Sequence, residues 1–152
     1  MIRDFQGIDI IPGSSGVEKI ADMTAKEAQR LIQSFVEIAA YDYFILDTSA
    51  GISSQVLSFC RASHEMILVA TPEPTSLTDA YATIKVLVGQ QGRRLVQLVV
   101  NQVGRPGEGK VIRGQLQQVV DRFVVPALVQ SSGDEQANVK LDLLGELPSD
   151  GC

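Results

Sequence analysis

Aromatic residues make up only 5% of this chain, and tryptophan is absent. Its core must therefore be Val, Leu, Ile and Ala, which favours a parallel α/β sheet over an aromatic-rich β-sandwich. The only histidine, His64, has no acid or nucleophile paired with it by spacing, so histidine-centred catalysis is not expected. Cys60 and Cys152 show neither metal-ligand nor redox spacing, which points to a reduced, cytoplasmic setting. Basic clusters are missing as well. Net charge is −5, and the densest basic spot, Arg93-Arg94, reads as the solvated start of a strand. Direct nucleic-acid binding is not expected on that balance. No apolar run approaches the ~18 to 20 residues of a membrane span. Met1-Ile2-Arg3-Asp4 lacks the regions of a signal peptide. Ser14, Ser15, Ser53 and Ser54 lack the nucleophile-elbow pattern, so no hydrolase triad is expected.

What is present is an alternation of apolar strands and amphipathic helices. The 152 residues form one expected domain, 1–152, of a size that buries roughly 70% of its unfolded surface. Ile8 to Ile11 reads as a short strand, stopped by Pro12-Gly13-Ser14-Ser15-Gly16. Thr24-Ala25-Lys26-Glu27 is a capping box, and Ala28, Leu31, Ile32, Phe35 and Ile38 recur behind it at helical spacing. Tyr43 to Asp47 is a continuous apolar strand, and Val56, Leu57 and Cys60 mark a short helix within 53–62. Glu65 to Ala70 is a second buried strand, ending in a two-proline turn at Pro72 and Pro74. Leu77, Tyr81, Ile84 and Leu87 form the next helical stripe, followed by a strand from Leu95 to Asn101. A long helix carries Ile112, Leu116, Val119, Val120 and Phe123 on its expected buried face, and Leu141 to Leu147 is the last strand. Uninterrupted apolar strands alternating with helices predict a three-layer α/β/α fold with a mostly parallel sheet covered on both faces.

Two loops carry the chemical signals. Asp47 follows a strand and precedes Thr48-Ser49-Ala50-Gly51-Ile52, as when a buried strand delivers a carboxylate to a nucleotide site. Such a carboxylate holds Mg²⁺, usually through water. Downstream, Gly104-Arg105-Pro106-Gly107-Glu108-Gly109-Lys110 has P-loop spacing between a strand and a helix. Val111, however, stands where a hydroxyl should reach Mg²⁺, Pro106 removes a backbone donor, and Glu108 adds negative charge to the supposed anion nest. The P-loop reading is therefore rejected. Asn101 ends a strand, where its amide serves either as a turn former or as a reader of a base edge.

Several stretches together resemble the MinD/ParA-type (SIMIBI) P-loop ATPases, most of all the flagellar-number regulators (FlhG, FleN, YlxH). They are Tyr41 to Ile52, Ile67 to Tyr81, Val99 to Val103, Leu144 to Asp150, and Ile10 to Gly16. The resemblance covers nearly the whole chain in the family's order. It implies a Rossmann-like P-loop NTPase fold, ATP and Mg²⁺ as the parent family's ligands, an ATP-gated homodimer, and a protein partner. By resemblance, Asp47 is the Walker B aspartate acting through Mg²⁺-bound water, and Thr48, Ser49, Ala50, Gly51 and Ile52 form the γ-phosphate switch. Asn101 reads adenine, with Pro148 and Asp150 near the adenine pocket.

The chain departs from the family in one large respect. By resemblance, it is expected to begin after the place of the Walker A loop and the first strand, and to be without the C-terminal amphipathic helix by which some relatives grip membranes. Phosphoryl transfer rests on positioned charge, so this chain alone is expected neither to bind ATP and Mg²⁺ tightly nor to hydrolyse ATP. The family sets its P-loop strand between Tyr43–Asp47 and Glu65–Ala70. Those two strands are therefore expected to pair directly, or a second copy to fill the gap. The leading expectation is a MinD/FlhG-like ATPase domain from a truncated gene. A natural non-catalytic interaction module and a cobyrinic acid a,c-diamide synthase-like member of the scaffold are the alternatives.

Overall fold

The computed structural model describes residues 2–5, 7–11, 24–38 and 41–150. Its elements in chain order are β1 (Ile2–Phe5), β2 (Ile8–Ile10), α1 (Ala25–Val36), α2 (Ser54–Ala62) and β3 (Ile67–Ala70). They continue with α3 (Pro74–Gln91), β4 (Leu95–Val103), α4 (Glu108–Ser132) and β5 (Lys140–Pro148). Strands β3, β4 and β5 form a three-stranded parallel sheet in that order, while β1 and β2 pair separately as an antiparallel hairpin. This is the α/β, Rossmann-like class expected from the alternation of strands and helices.

Register explains where the core sits. Leu68 lies opposite Leu98, Ala70 opposite Val100, and Val96 and Leu98 opposite Leu141 and Leu143, so these residues share one sheet face. Period-two alternation then turns Val96, Leu98 and Val100 into full burial. Helices α3 and α4 close over that face with Ile84, Val88, Leu116, Val120 and Val124. On the opposite face Ile67 and Val69 remain 54% and 59% exposed, so one helical layer of the expected two covers the sheet among the described residues.

Polar side chains fix the helices to the sheet. Gln117 Nε2 donates to the Val139 carbonyl at 2.7 Å, and its Oε1 accepts from the Leu141 N–H at 2.8 Å. Arg113 Nε donates to the Leu141 carbonyl at 2.8 Å. At α1, Thr24 and Glu27 complete the expected capping box, with Thr24 N–H donating to Glu27 Oε2 at 2.8 Å. Pro74 opens α3, and Gly92 closes it in the left-handed conformation. Among the described residues, no helix is long and apolar enough to cross a membrane.

Four expectations need correction. Tyr43–Asp47 is irregular rather than a buried strand, with Tyr43 86% and Ile45 91% exposed. A parallel strand is stable only when its backbone groups find partners, and no described strand flanks this segment. Direct pairing of 43–47 with β3 is absent, so one edge of β3 has no described partner. What holds the segment is its aromatic content: Phe44 stacks on Phe35 with centroids 5.3 Å apart, and the Tyr41 hydroxyl donates to Asp9. On α4, Val119 and Phe123 are exposed, because the buried stripe steps by four through Ile112, Leu116, Val120, Val124 and Leu128. Phe123 instead lies under the Arg122 guanidinium, 5.3 Å from its ring centroid. The strand read at Ile8 to Ile11 ends at Ile10 and pairs with β1, which the sequence pattern did not mark. Pro12 to Gly16 and Cys152 lie outside the described residues.

Candidate functional site

Ligands of open parallel sheets sit beyond the carboxyl ends of the strands. Here that end carries Asn101 on β4 and Pro148 on β5. Between Val100, opposite Glu146, and Val103, opposite Pro148, the pairing shifts register. Strand β4 thus has a bulge at Asn101 and Gln102, and Gln102 takes φ 60°, the only positive φ of a non-glycine residue among those described. The Asn101 Oδ1 accepts from the Gln102 N–H at 2.9 Å, which anchors the side-chain amide. Beyond the bulge, the Ser149 N–H donates to the Val103 carbonyl at 3.0 Å. Asn101 and Pro148 therefore belong to one rim on two adjacent strands, and Asp150 follows two residues beyond β5.

Asp47 and residues 48–52 occupy a different kind of backbone. Asp47 through Ile52 are exposed and irregular, with Gly51 at φ 95°. The stretch leads into α2, where Ser53 Oγ caps the helix by accepting from the Val56 N–H at 3.3 Å. Among the described residues, no hydrogen bond joins 47–52 to Asn101 or to 148–150. Nor do the described residues group three or more His, Cys, Asp or Glu side chains to hold a metal. Asp47 alone supplies one exposed carboxylate, too little for Mg²⁺ without further oxygen donors. The described residues do not by themselves fit the ion.

The look-alike P-loop has an internal occupant. Glu146 Oε1 accepts from the Gly107 N–H at 2.6 Å, and Oε2 accepts from the Gly109 N–H at 2.8 Å. These two amides, with the Lys110 charge nearby, hold the Glu146 carboxyl below the usual glutamate range. The donors that would cradle phosphate already hold a carboxylate. Gly107 takes φ 87° at the start of α4, a turn that glycine adopts without a Cβ penalty.

The antiactivator FleN of Pseudomonas aeruginosa is 39% identical over 123 residues, covering 80% of this chain and 44% of FleN. The flagellum site-determining protein YlxH of Helicobacter pylori is 34% identical over 117 residues, 74% of this chain and 38% of YlxH. A putative septum site-determining protein MinD of Oltmannsiellopsis viridis is 31% identical over 129 residues, 85% of this chain and 35% of that protein.

The chain belongs to the MinD/ParA-type family.

It spans less than half the length of each of these three relatives. No protein-family model matches it. In this MinD/ParA-type chain, Asn101 and Pro148 lie at the carboxyl ends of adjacent strands, while Asp47 through Ile52 lie on exposed, irregular backbone before α2. Sequence reasoning missed two functional groups. Glu146 was the first, although a lone acid inside the apolar run from Leu143 to Leu147 is a visible signal that some partner satisfies it. Arg93 was the second, because it is not a solvated residue at the start of β4. Its guanidinium donates to the carbonyls of Cys60 and Ser63, both at 2.8 Å, and of His64 at 3.2 Å, closing the C-terminus of α2. Burial pushes the neighbouring Cys60 thiol up, which makes it a packing residue rather than a nucleophile. A cavity of about 440 Å³, lined in part by His64, Glu65, Arg94 and Gln97, opens at the opposite, amino end of β4.

Proposed function

We propose that this chain carries the base-side half of a MinD/ParA-type nucleotide switch whose parent activity controls the number or placement of flagella. The observation that carries the reading is the placement of Asn101 and Pro148 at the carboxyl ends of two adjacent parallel strands, in a chain 39% identical to the antiactivator FleN over 123 residues. In this reading the Asn101 amide, anchored through Oδ1, offers Nδ2 to an adenine acceptor, and Pro148 packs against the base. Asp47 holds magnesium-bound water and Thr48, Ser49, Ala50, Gly51 and Ile52 sense the γ-phosphate once a phosphate-binding loop stands beside them. The protein is cytoplasmic and acts as a homodimer on a protein partner.

Within these 152 residues the one loop with P-loop spacing has its amides engaged by Glu146. This chain alone therefore binds neither ATP nor Mg²⁺ tightly. An in-frame deletion of its gene tests the parent role: electron microscopy should show altered flagellar number or position, and unchanged flagellation contradicts it. A second reading, a natural interaction module without hydrolysis, is favoured by the exposed, irregular backbone of Asp47. The two separate on the coding sequence upstream: a Lys-Gly-Gly-Val-Gly-Lys-Thr-like segment in frame supports the switch.

A further inference from the structure

We infer that Glu146 is a positioning residue: its carboxylate clasps the loop between β4 and α4 to β5 and thereby fixes the bulge that aims Asn101. The inference rests on the base-rim reading for its functional meaning, but its geometry stands apart from any ligand. Strand β4 bulges at Asn101 and Gln102 before pairing again at Val103, and the left-handed φ of 60° at Gln102 carries a conformational cost for a residue with a side chain. Such a conformation persists only where the surrounding structure over-determines it. On one side, the Ser149 N–H closes onto the Val103 carbonyl at 3.0 Å. On the other, Glu146, which faces Val100 across the pair, reaches forward to the Gly107 and Gly109 N–H groups.

Each carboxylate oxygen takes one amide, at 2.6 and 2.8 Å, so the contact is bidentate. The amides belong to the amino end of α4, whose dipole favours an anion there. The fit is close enough to dictate sequence. A Cβ on Gly109 would lie 2.8 Å from Glu146 Oε2 and 3.0 Å from its Cβ, so only glycine admits the clasp. Glu108 adds a second tie within the loop, accepting from the Gly104 N–H at 2.8 Å. The glycine spacing that imitates a P-loop is explained as a receptor for an internal carboxylate.

A helix cap alone would steady α4 and leave the bulge unaffected; a positioning residue also protects the bulge. Amide hydrogen exchange on the full chain distinguishes them, using Glu146→Ala and Glu146→Gln, the latter keeping one acceptor oxygen. The clasp predicts roughly tenfold or faster exchange at Gln102 and Ser149 in Glu146→Ala, a smaller rise in Glu146→Gln, and unchanged protection at Leu98 and Val100. Unchanged protection at Gln102 and Ser149 in both variants overturns the inference. So does a uniform loss across the sheet in the milder Glu146→Gln variant, because that marks a general stabilising role. Adenosine, with guanosine as control, is then titrated against the Asn101 side-chain amide resonances. A response in the native chain that weakens in Glu146→Gln supports the link to base binding. No response in the native chain contradicts the base-rim reading, while the exchange data still decide the clasp.

Discussion

Tyr43–Asp47 and Leu95–Val100 are equally apolar stretches of the same chain, yet only one is a strand. In β4, Val96, Leu98 and Val100 are fully buried, with β3 and β5 paired on either edge and helices over one face. In 43–47, Tyr43 and Ile45 stand in solvent, and the described tethers are aromatic contacts at Phe44 and the hydrogen bond from Tyr41 to Asp9. The difference teaches that an apolar run specifies a parallel strand only where neighbours receive its N–H and C=O groups. Composition supplies the burial; pairing decides the structure.

Paired substitutions sharpen this contrast most strongly. Leu98→Ala should cost about 2–5 kcal/mol of unfolding free energy, as for other buried leucines. Ile45→Ala should stay within about 0.5 kcal/mol, as an exposed site does. Equal effects in urea denaturation would erase the distinction between the two regions. Gly109→Ala comes next, because its Cβ must displace the Glu146 carboxylate; a loss of about 1–3 kcal/mol is expected, and a neutral result would show the loop to be slack. Arg93→Ala removes three hydrogen bonds at the end of α2 and should cost about 1–2 kcal/mol, read as earlier proteolysis within 53–66 than in the sheet.

The smallest effect is a pH dependence. Glu146 has a lowered folded-state pKa, through the Gly107 and Gly109 amides first and Lys110 last. Its contribution is therefore present above the unfolded glutamate value and is lost as pH falls through the folded one. Protection of the Gly107 and Gly109 amides, corrected for intrinsic exchange, should fall in that acidic window in the native chain. In Glu146→Gln that protection should be lower and independent of pH.

Much of the fold was legible because local rules and tertiary context agreed. The Thr24 and Glu27 capping box, the turn at Pro74, and strands β3 to β5 all follow from nearest-neighbour chemistry reinforced by burial. The exclusion of the look-alike P-loop could be argued from Pro106, Glu108 and Val111. What occupies its amides could not, because Glu146 lies 37 positions from Gly109 and no periodicity links them. Arg93 was hidden for the same reason, since its acceptors are 29 to 33 residues earlier. At the candidate site, the sequence ended the strand at Asn101, whereas β4 runs on to Val103 through a bulge that depends on how β4 and β5 register. Asp47 illustrates the opposite error, in which a familiar sequence pattern carried an expectation of strand geometry that pairing did not support.

The central claim is that the base-side rim stands in this chain without a phosphate grip. Titration calorimetry of the chain with Mg²⁺ and ATP tests it most directly. The account predicts affinity no tighter than millimolar, unaffected by Asp47→Ala. Micromolar, one-to-one binding that Asp47→Ala abolishes would contradict it.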